Sequence, residues 1–354
     1  MRKFIIPSVK DSVQADRRCP YCLSMTGHIH QSRSHTLVDT RLGSVTKLRL
    51  QCRDCLRTWT LQPEGVKAHF QRSQRVRALN VLLYALGLSY AAVAQVVTAL
   101  GAPESKASSY RDLLSSYDKA KQLHKRGNRK VRLAGIDGTG QRLAQPYNAH
   151  CESLLFVVDF SDGQLLEVEL LDEDDADAVA ALDKDLQAKY EIELFVTDEH
   201  KSYPQAIPEH KHLLCTTHFK KNKLRRVGEL RAEAKTEKMK QDLDELEKLL
   251  REVPEDGQHR AKAVYRRQRR VKRPKKGKRA NAASRLKALA REIYEKWERV
   301  WQVTNNQTER AIGECLKIRS KTMRGFKVKE NIVGFVKLTS WVRQSKKVSL
   351  GELF

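Results

Sequence analysis

The chain contains no run of about 18 apolar residues, the length a helix needs to cross a bilayer. No membrane span and no membrane partner are therefore expected. The amino-terminal MRKFIIPSVKDSV starts with basic residues, but its apolar stretch is only Phe4, Ile5 and Ile6. That is too short for the core of a secretory signal, so secretion is not expected. Acids are scarce relative to bases: 43 Asp and Glu stand against 68 Lys and Arg, for a formal net charge of +25. Such an excess fits binding to nucleic acid, although RNA, lipid or ribosome contact would draw on the same charge. No heptad pattern marks an oligomer interface.

Length and composition leave room for two or three domains: 354 residues, 40% of them hydrophobic. The cysteine number is odd, seven, at Cys19, Cys22, Cys52, Cys55, Cys151, Cys215 and Cys315. Four of them form two C-x2-C pairs, in RRCPYCLS and QCRDCLRTWT. This pattern argues for metal binding in a reducing compartment. Cys19, Cys22, Cys52 and Cys55 can place four thiolates on one structural Zn2+, leaving no vacant position for catalysis. LVDTRLGSVTKLRLQC between the pairs alternates well enough to supply strands. A zinc ribbon over residues 1–62 is the expectation, with the metal supplying much of its folding energy; a redox pair or free thiols is the alternative. His28, His30 and His35 read as surface or packing residues. Arg17, Arg18, Arg53 and Arg57 are either phosphate contacts or solvated charge.

Residues 63–128 carry a helical pattern. Val76, Leu79, Leu82, Leu83 and Leu86 form one stripe, Gly87 ends it and Ser89 caps the next helix. That helix is expected to bury Val93, Val96, Val97 and Leu100. Gly101 and Pro103 punctuate a turn, and Ser105 caps a third helix bearing Lys106 and Arg111. Helix, short turn and polar helix suit a helix-turn-helix whose last helix enters the major groove, where Lys106 and Arg111 meet bases or phosphates. The alternative is an ordinary three-helix packing domain. DKAKQLHKRGNRK lacks a hydrophobic period and reads as a helix end and linker.

From position 129 the pattern changes to strands. VRLAGID ends in Asp137, CESLLFVVDF and QLLEVELLD flank an SDG turn, and IELFVTD ends in Asp198. DADAVAALDKDLQAKY reads as a helix and KHLLCTTHF as a fifth strand, together a mixed α/β sheet with covering helices. Asp137 and Asp198 can meet if their strands are adjacent. Two close carboxylates repel unless a cation or proton intervenes, and Mg2+ relieves that repulsion. Two such ions can activate a water or a DNA 3′-hydroxyl and stabilise the departing oxygen. Glu309, in TNNQTER at the start of a later helix, would complete the set, with Glu314 its rival. Asp159 and Asp172 also end apolar runs, so a strand-end Asp alone is equally a turn cap.

Residues at about 219–304 look helical and inserted. Met239, Leu243, Leu246 and Leu250 form one stripe; Leu286, Leu289, Ile293, Trp297 and Trp301 form a second, and the two can pack as an antiparallel hairpin. Between them RAKAVYRRQRRVKRPKKGKR has 12 Lys or Arg in 20 residues and no acid. Its Arg266, Arg267, Arg269, Arg270, Lys272, Arg273, Lys275 and Lys276 are candidate phosphate contacts. Arg319 and Lys321 extend the basic surface after Glu309.

GIDGTG, FVTDEHKSY, the C-x2-H of CTTH and TNNQTER, in that order, resemble insertion-sequence transposases of the Asp-Asp-Glu class, Mutator-like. The resemblance covers roughly residues 15–342. It implies a ribonuclease H-like catalytic domain over 129–354, with Asp137, Asp198 and Glu309 as a triad holding Mg2+ or Mn2+, two ions in all. It implies cleavage and strand transfer of double-stranded DNA at terminal inverted repeats and into target DNA, by a homo-oligomer assembled on DNA. The location implied is cytoplasmic or nucleoid-associated, in a prokaryote. Cys215 and His218 match the C-x2-H feature and are expected near the active site. His200, Lys201 and Tyr203 are candidate contacts to the scissile strand. A DNA-binding regulator derived from such an enzyme, or a structure-specific nuclease, are the competing functions.

Overall fold

A short strand with buried residues on both faces organises the amino-terminal region. In β3 (Ser44–Cys52), Leu50 and Cys52 are buried on one face and Val45 on the other, while Ser44 and Arg49 stay exposed. This strand lies between β2 (Gly27–Thr36) and β4 (Thr58–Leu61), antiparallel to both. The computed structural model describes residues 2–14, 16–124, 129–140, 153–271, 280–318, 328 and 330–354. Among these, one compact unit holds the residues before position 127 together with those from Glu314 onward, and a second unit holds the rest. No helix among the described residues is long and apolar enough to cross a membrane.

In the first unit, serine caps set the helices. Ser73 accepts from Val76 N–H to start α1 (Gln74–Ala85), and Ser89 accepts from Ala92 N–H to start α2 (Tyr90–Ala99). Ser105 accepts from Ser108 N–H at the head of α3 (Lys106–His124). Helix α3 thus runs through most of the charged segment read as a linker. The apolar face of α2 is narrower than its stripe suggests: Val93 and Val97 are fully buried, but Val96 and Leu100 are exposed, as is Leu86. A buried ionic group ties the helices together. Asp112 accepts from Arg72, Arg77 and Asn80, at 2.9 Å to Arg77 Nε and 2.8 Å to Asn80 Nδ2. Asp39, on the loop between β2 and β3, accepts from Ser73 and Arg75 and so fastens the far end of the ribbon to α1.

The carboxy-terminal residues from Glu314 onward group with this first unit, whereas the expected catalytic domain runs over 129–354. The apolar length of α11 (Glu330–Gln344) explains this: it packs on α3, where Gly334 comes so close to Tyr117 that a Cβ would lie 2.7 Å from it. Arg343 donates to Ala85 O at the end of α1. The strands β1 (Lys3–Ile5) and β10 (Lys347–Ser349) pair in parallel.

The second unit is built on a five-stranded sheet. Its strands are β5 (Lys130–Gly140), β6 (Ser153–Asp159), β7 (Leu165–Leu171), β8 (Glu191–Thr197) and β9 (His212–Leu214), in the order β7-β6-β5-β8-β9. Strand β6 is antiparallel to both neighbours, whereas β5–β8 and β8–β9 are parallel. Residues Leu154–Val158 are buried without a break, as befits a strand covered on both faces. One cover is α4 (Ala176–Lys189), whose Val179, Leu182 and Leu186 meet Ala134 and Ile136 of β5. Gly163, with φ +71°, closes the expected hairpin turn, and its N–H donates to Asp159 O. The fifth strand stops at Leu214, because Cys215 already serves as the N-cap of α6 (Thr216–Ala232).

Among the described residues the insertion holds four helices: α6, α7 (Glu237–Glu252), α8 (Gly257–Arg267) and α9 (Ala282–Val300). Both expected stripes are buried in their common core. They do not form a simple hairpin, because α8 packs on both α7 and α9. Gly257 makes this approach possible: a Cβ there would lie 1.9 Å from Trp297. Buried Lys223 of α6 joins Glu199 and Glu292 at 2.7 and 2.8 Å. Burial opposes the charge on Glu292, but Lys223, Lys296 and Arg226 hold its carboxyl down to about 2.

Candidate active site and metal centre

Each C-x2-C folds into the same turn. Leu23 N–H donates to Cys19 O at 3.0 Å and Leu56 N–H to Cys52 O at 3.1 Å. Cys19 N–H and Cys52 N–H donate onward to Ser24 O and Arg57 O. The two turns face each other, with 3.6 Å from Cys19 Sγ to Cys55 Sγ and from Cys22 Sγ to Cys52 Sγ. The four sulfurs lie within 4.8 Å of one another, a cluster that can hold a metal ion and is consistent with structural zinc. Of the intervening histidines, His28 and His35 each leave one buried ring nitrogen without a hydrogen bond.

The residue after each second cysteine is left-handed: Leu23 at φ +65° and Leu56 at φ +57°, both exposed. This conformation costs a residue with a Cβ about 1–2 kcal/mol, whereas glycine adopts it freely. Glycine's larger entropy loss on folding offsets part of that gain, about 0.5–1 kcal/mol. Leu56→Gly is therefore expected to stabilise the metal-loaded protein by up to about 1 kcal/mol, read as a higher denaturant midpoint. A lower midpoint would show that the leucine side chain packs rather than strains.

In the sheet, Asp137 is not at a strand end. Strand β5 continues to Gly140 against β6, with Asp137 opposite Phe156. What ends near Asp137 is the parallel pairing with β8, whose last pair is Gly135 with Val196. Asp198 directly follows β8, so Asp137 and Asp198, two residues on in each strand, stand at matching heights. Glu309 lies in the first turn of α10 (Asn306–Ile312), which packs on β5 and β6. Burial pushes the Asp137 carboxyl up to about 7; His218 opposes this, while Asp198, Glu309 and Glu173 add to it. The three expected acids and Glu173 therefore share one electrostatic field. Their oxygens are spaced more widely than the sulfurs: among the described residues, only the cysteines bring three or more such atoms within 4.8 Å of one another.

His218, in the first turn of α6, places Nε2 3.4 Å from Glu309 Oε1. The neighbouring Cys215 raises the imidazole to about 9 against the effect of burial, helped by the charges of Asp137 and Glu309. Burial pushes the Cys215 thiol up, but the neighbouring His218 and the hydrogen bond from Asn305 N–H leave it below its ordinary value. Burial, with the charge of Glu314, pushes the Cys315 thiol up to about 12.

Close approach brings α10 to the acids. A Cβ on Gly135 would lie 2.1 Å from Thr308 Oγ1 and 2.4 Å from Asn305 Oδ1. Gln307 Nε2 donates to Phe160 O at 2.9 Å, keying the same helix to the end of β6. Glu173 is a fourth acid that the sequence pattern does not single out, hidden in the run LDEDDAD. Its carboxylate sits over Gly138, 2.2 Å from where a Cβ would be, and accepts from Tyr203 Oη at 2.6 Å. Tyr203 is fully buried, so it supports Glu173 and is not a contact to a bound strand. His200 is engaged by Ser202, while exposed Lys201 pairs with Asp174.

The candidate DNA contacts are spread over the surface. Lys106 and Arg111 are exposed on α3. Arg266 and Arg267 are exposed in the last turn of α8, with Arg269 and Arg270 just beyond it. Arg267 is partly committed, because its Nε donates to buried Asp242 at 2.7 Å. Lys272, Arg273, Lys275, Lys276, Arg319, Lys321 and Cys151 lie outside the described residues. No family model matches this chain, and no curated protein matches it either.

Proposed function

We propose that this chain is a DNA transposase of the Asp-Asp-Glu class, cleaving and joining double-stranded DNA at the ends of a mobile element. The observation that supports the reading is the register of β5 and β8, which carries Asp137 and Asp198 to matching positions, with the charge of Glu309 also acting on Asp137. Three neighbouring carboxylates, with burial raising the proton affinity of Asp137, favour a divalent cation that replaces the proton. Asp137, Asp198 and Glu309 would hold two Mg2+ or Mn2+ ions. Bound there, such ions activate the attacking oxygen and stabilise the departing one. The mixed sheet with helices on both faces suits the ribonuclease H-like fold that the motif order implies. The cysteine quartet would hold one structural Zn2+. The net charge of +25 and exposed Lys106, Arg111, Arg266, Arg269 and Arg270 suit a DNA partner, with terminal repeats and target as its two forms. A homo-oligomer would bring two ends together, in the prokaryotic cytoplasm or nucleoid.

The chain's own residues account for the rest of the site. His218 holds Glu309 by charge, Cys215 and Asn305 fix the approach of two helices, and Tyr203 anchors Glu173. The test is a supercoiled donor carrying the DNA that flanks the gene, incubated with the protein and Mg2+ or Mn2+. Joined products are the expected result. Cleavage without joining would replace this reading with a nuclease, and binding without cleavage with a regulator.

A further inference from the structure

One residue touches the backbone at two of the acids and reaches the third through Cys215. Asn305, the N-cap of α10, is fully buried. Its Nδ2 donates to the carbonyl of Ile136, which directly precedes Asp137, at 2.8 Å. Its own carbonyl accepts the N–H of Glu309 at 3.1 Å. Its N–H donates to Cys215 Sγ at 3.2 Å, and Cys215 N–H in turn donates to the carbonyl of Thr197, which directly precedes Asp198, at 2.8 Å. Thr308 Oγ1 donates to Asn305 Oδ1 at 2.6 Å and so holds the amide in the orientation that aims Nδ2 at Ile136.

We infer that Asn305 is the positioning residue that sets the distances among Asp137, Asp198 and Glu309, with Cys215 as its link to the strand of Asp198. This inference rests on the proposed metal-dependent reading of those acids. Its N–H, carbonyl, amide nitrogen and amide oxygen are all engaged within the protein, so nothing remains to grip substrate. Its effect therefore passes through the carboxylates. Gly135 belongs to the same device, since a side chain there would strike both Asn305 and Thr308. An aspartate at 305 would keep the shape but set an acceptor against the Ile136 carbonyl, while Thr308→Val leaves the amide in place without its guide.

The experiment uses the full zinc-loaded chain and Mn2+ as the probe, with binding followed by calorimetry and by the electron spin resonance of the free ion. Wild type, Asp137→Asn, Asn305→Asp and Thr308→Val are compared, with cleavage measured in parallel. Asn305→Asp is expected to weaken Mn2+ binding about tenfold and lower cleavage about 10²-fold at fixed Mn2+, the scale of a catalytic group displaced by about 1 Å. Raising Mn2+ should recover part of the loss, and DNA affinity should be unchanged. Thr308→Val should shift both quantities in the same direction by less, which keeps the test open if the aspartate variant folds poorly. A merely structural role would lower activity with the folded fraction and leave the Mn2+ midpoint unmoved, and that overturns the inference. Mn2+ binding by Asp137→Asn equal to wild type would instead sink the metal-site reading itself, and the inference with it.

Discussion

Asp137→Asn is expected to abolish strand cleavage and, at the same time, to stabilise the metal-free protein. Asparagine keeps the shape of the side chain but removes the charge that would attract the cations. A metal-held nucleophile contributes several kcal/mol, so a loss of at least about 10³-fold is expected, with DNA binding retained. The stability gain follows from the same carboxyl. Burial raises it from the ordinary 3.8 to about 7 in the folded chain. Between those two values the folded state binds more protons than the unfolded one, so stability falls as pH rises from about 4 to 7 and is level above. At pH 8 the ionised, buried Asp137 costs roughly 4 kcal/mol relative to a neutral group, at about 1.4 kcal/mol per pH decade. The variant should recover roughly 2–4 kcal/mol of this at pH 8 without metal, and almost none at pH 4. Thermal melts at both pH values, with and without Mn2+, separate the contributions. Equal melting of wild type and variant at pH 8 would mean that Asp137 is not held against its ionisation, and full cleavage by the variant would remove it from the site. Cation binding by the wild type should also tighten as pH rises through about 7, since the ion displaces the Asp137 proton.

How much of this could be read from the chain depends on whether the cause is local. The β strands and the two helical stripes of the insertion were legible because alternation and the helical period are repeated within a few residues. The turn at Gly163 was legible for the same reason. Asp137 was placed at a strand end, yet β5 runs on to Gly140, because its two edges end at different points and no one-dimensional pattern carries two edges. Glu173 lay in a run of acids whose members look alike; only Gly138 and Tyr203, distant in sequence, distinguish it. Asn305 stands in the quoted TNNQTER motif, but its place depends on Ile136 and Cys215, two partners from other elements. The helix α8 has no legible period because its apolar stripe is short, only Ala261 and Val264 being buried along it besides Gly257. The grouping of α11 with the first unit depends on a close approach of Gly334 to Tyr117 that no spacing announces.

Removing metal from the cysteine quartet should unfold the ribbon while leaving the helices of the same unit formed. The ribbon has little else to hold it: its apolar cluster is Val9, Leu37, Val45 and Val66, with Leu42 packed against them. Structural zinc of this ligand type binds with about 10–16 kcal/mol near neutral pH, and because the site exists only in the folded chain that energy is folding energy. Whole domains are stable by only about 5–15 kcal/mol, so the loss cannot be absorbed. The damage should be graded along the strands. The knuckles stand at the Gly27 and Cys52 ends of β2 and β3, whereas the opposite end is fastened to α1 through Asp39, Ser73 and Arg75 without any metal. Cys52→Ser, or a strong chelator, should therefore change the surroundings of Trp59 on β4, which pairs with Leu50, while the helical signal falls little. Native mass measurement should find one zinc per chain before chelation and none after. The expected melting curve then splits, with a low-temperature step confined to Trp59 fluorescence. An unaltered Trp59 spectrum in metal-free protein would show that the ribbon folds on its apolar contacts alone. If zinc is the ligand, acid should reproduce the effect of the chelator, because protonating the thiolates releases the ion as pH falls.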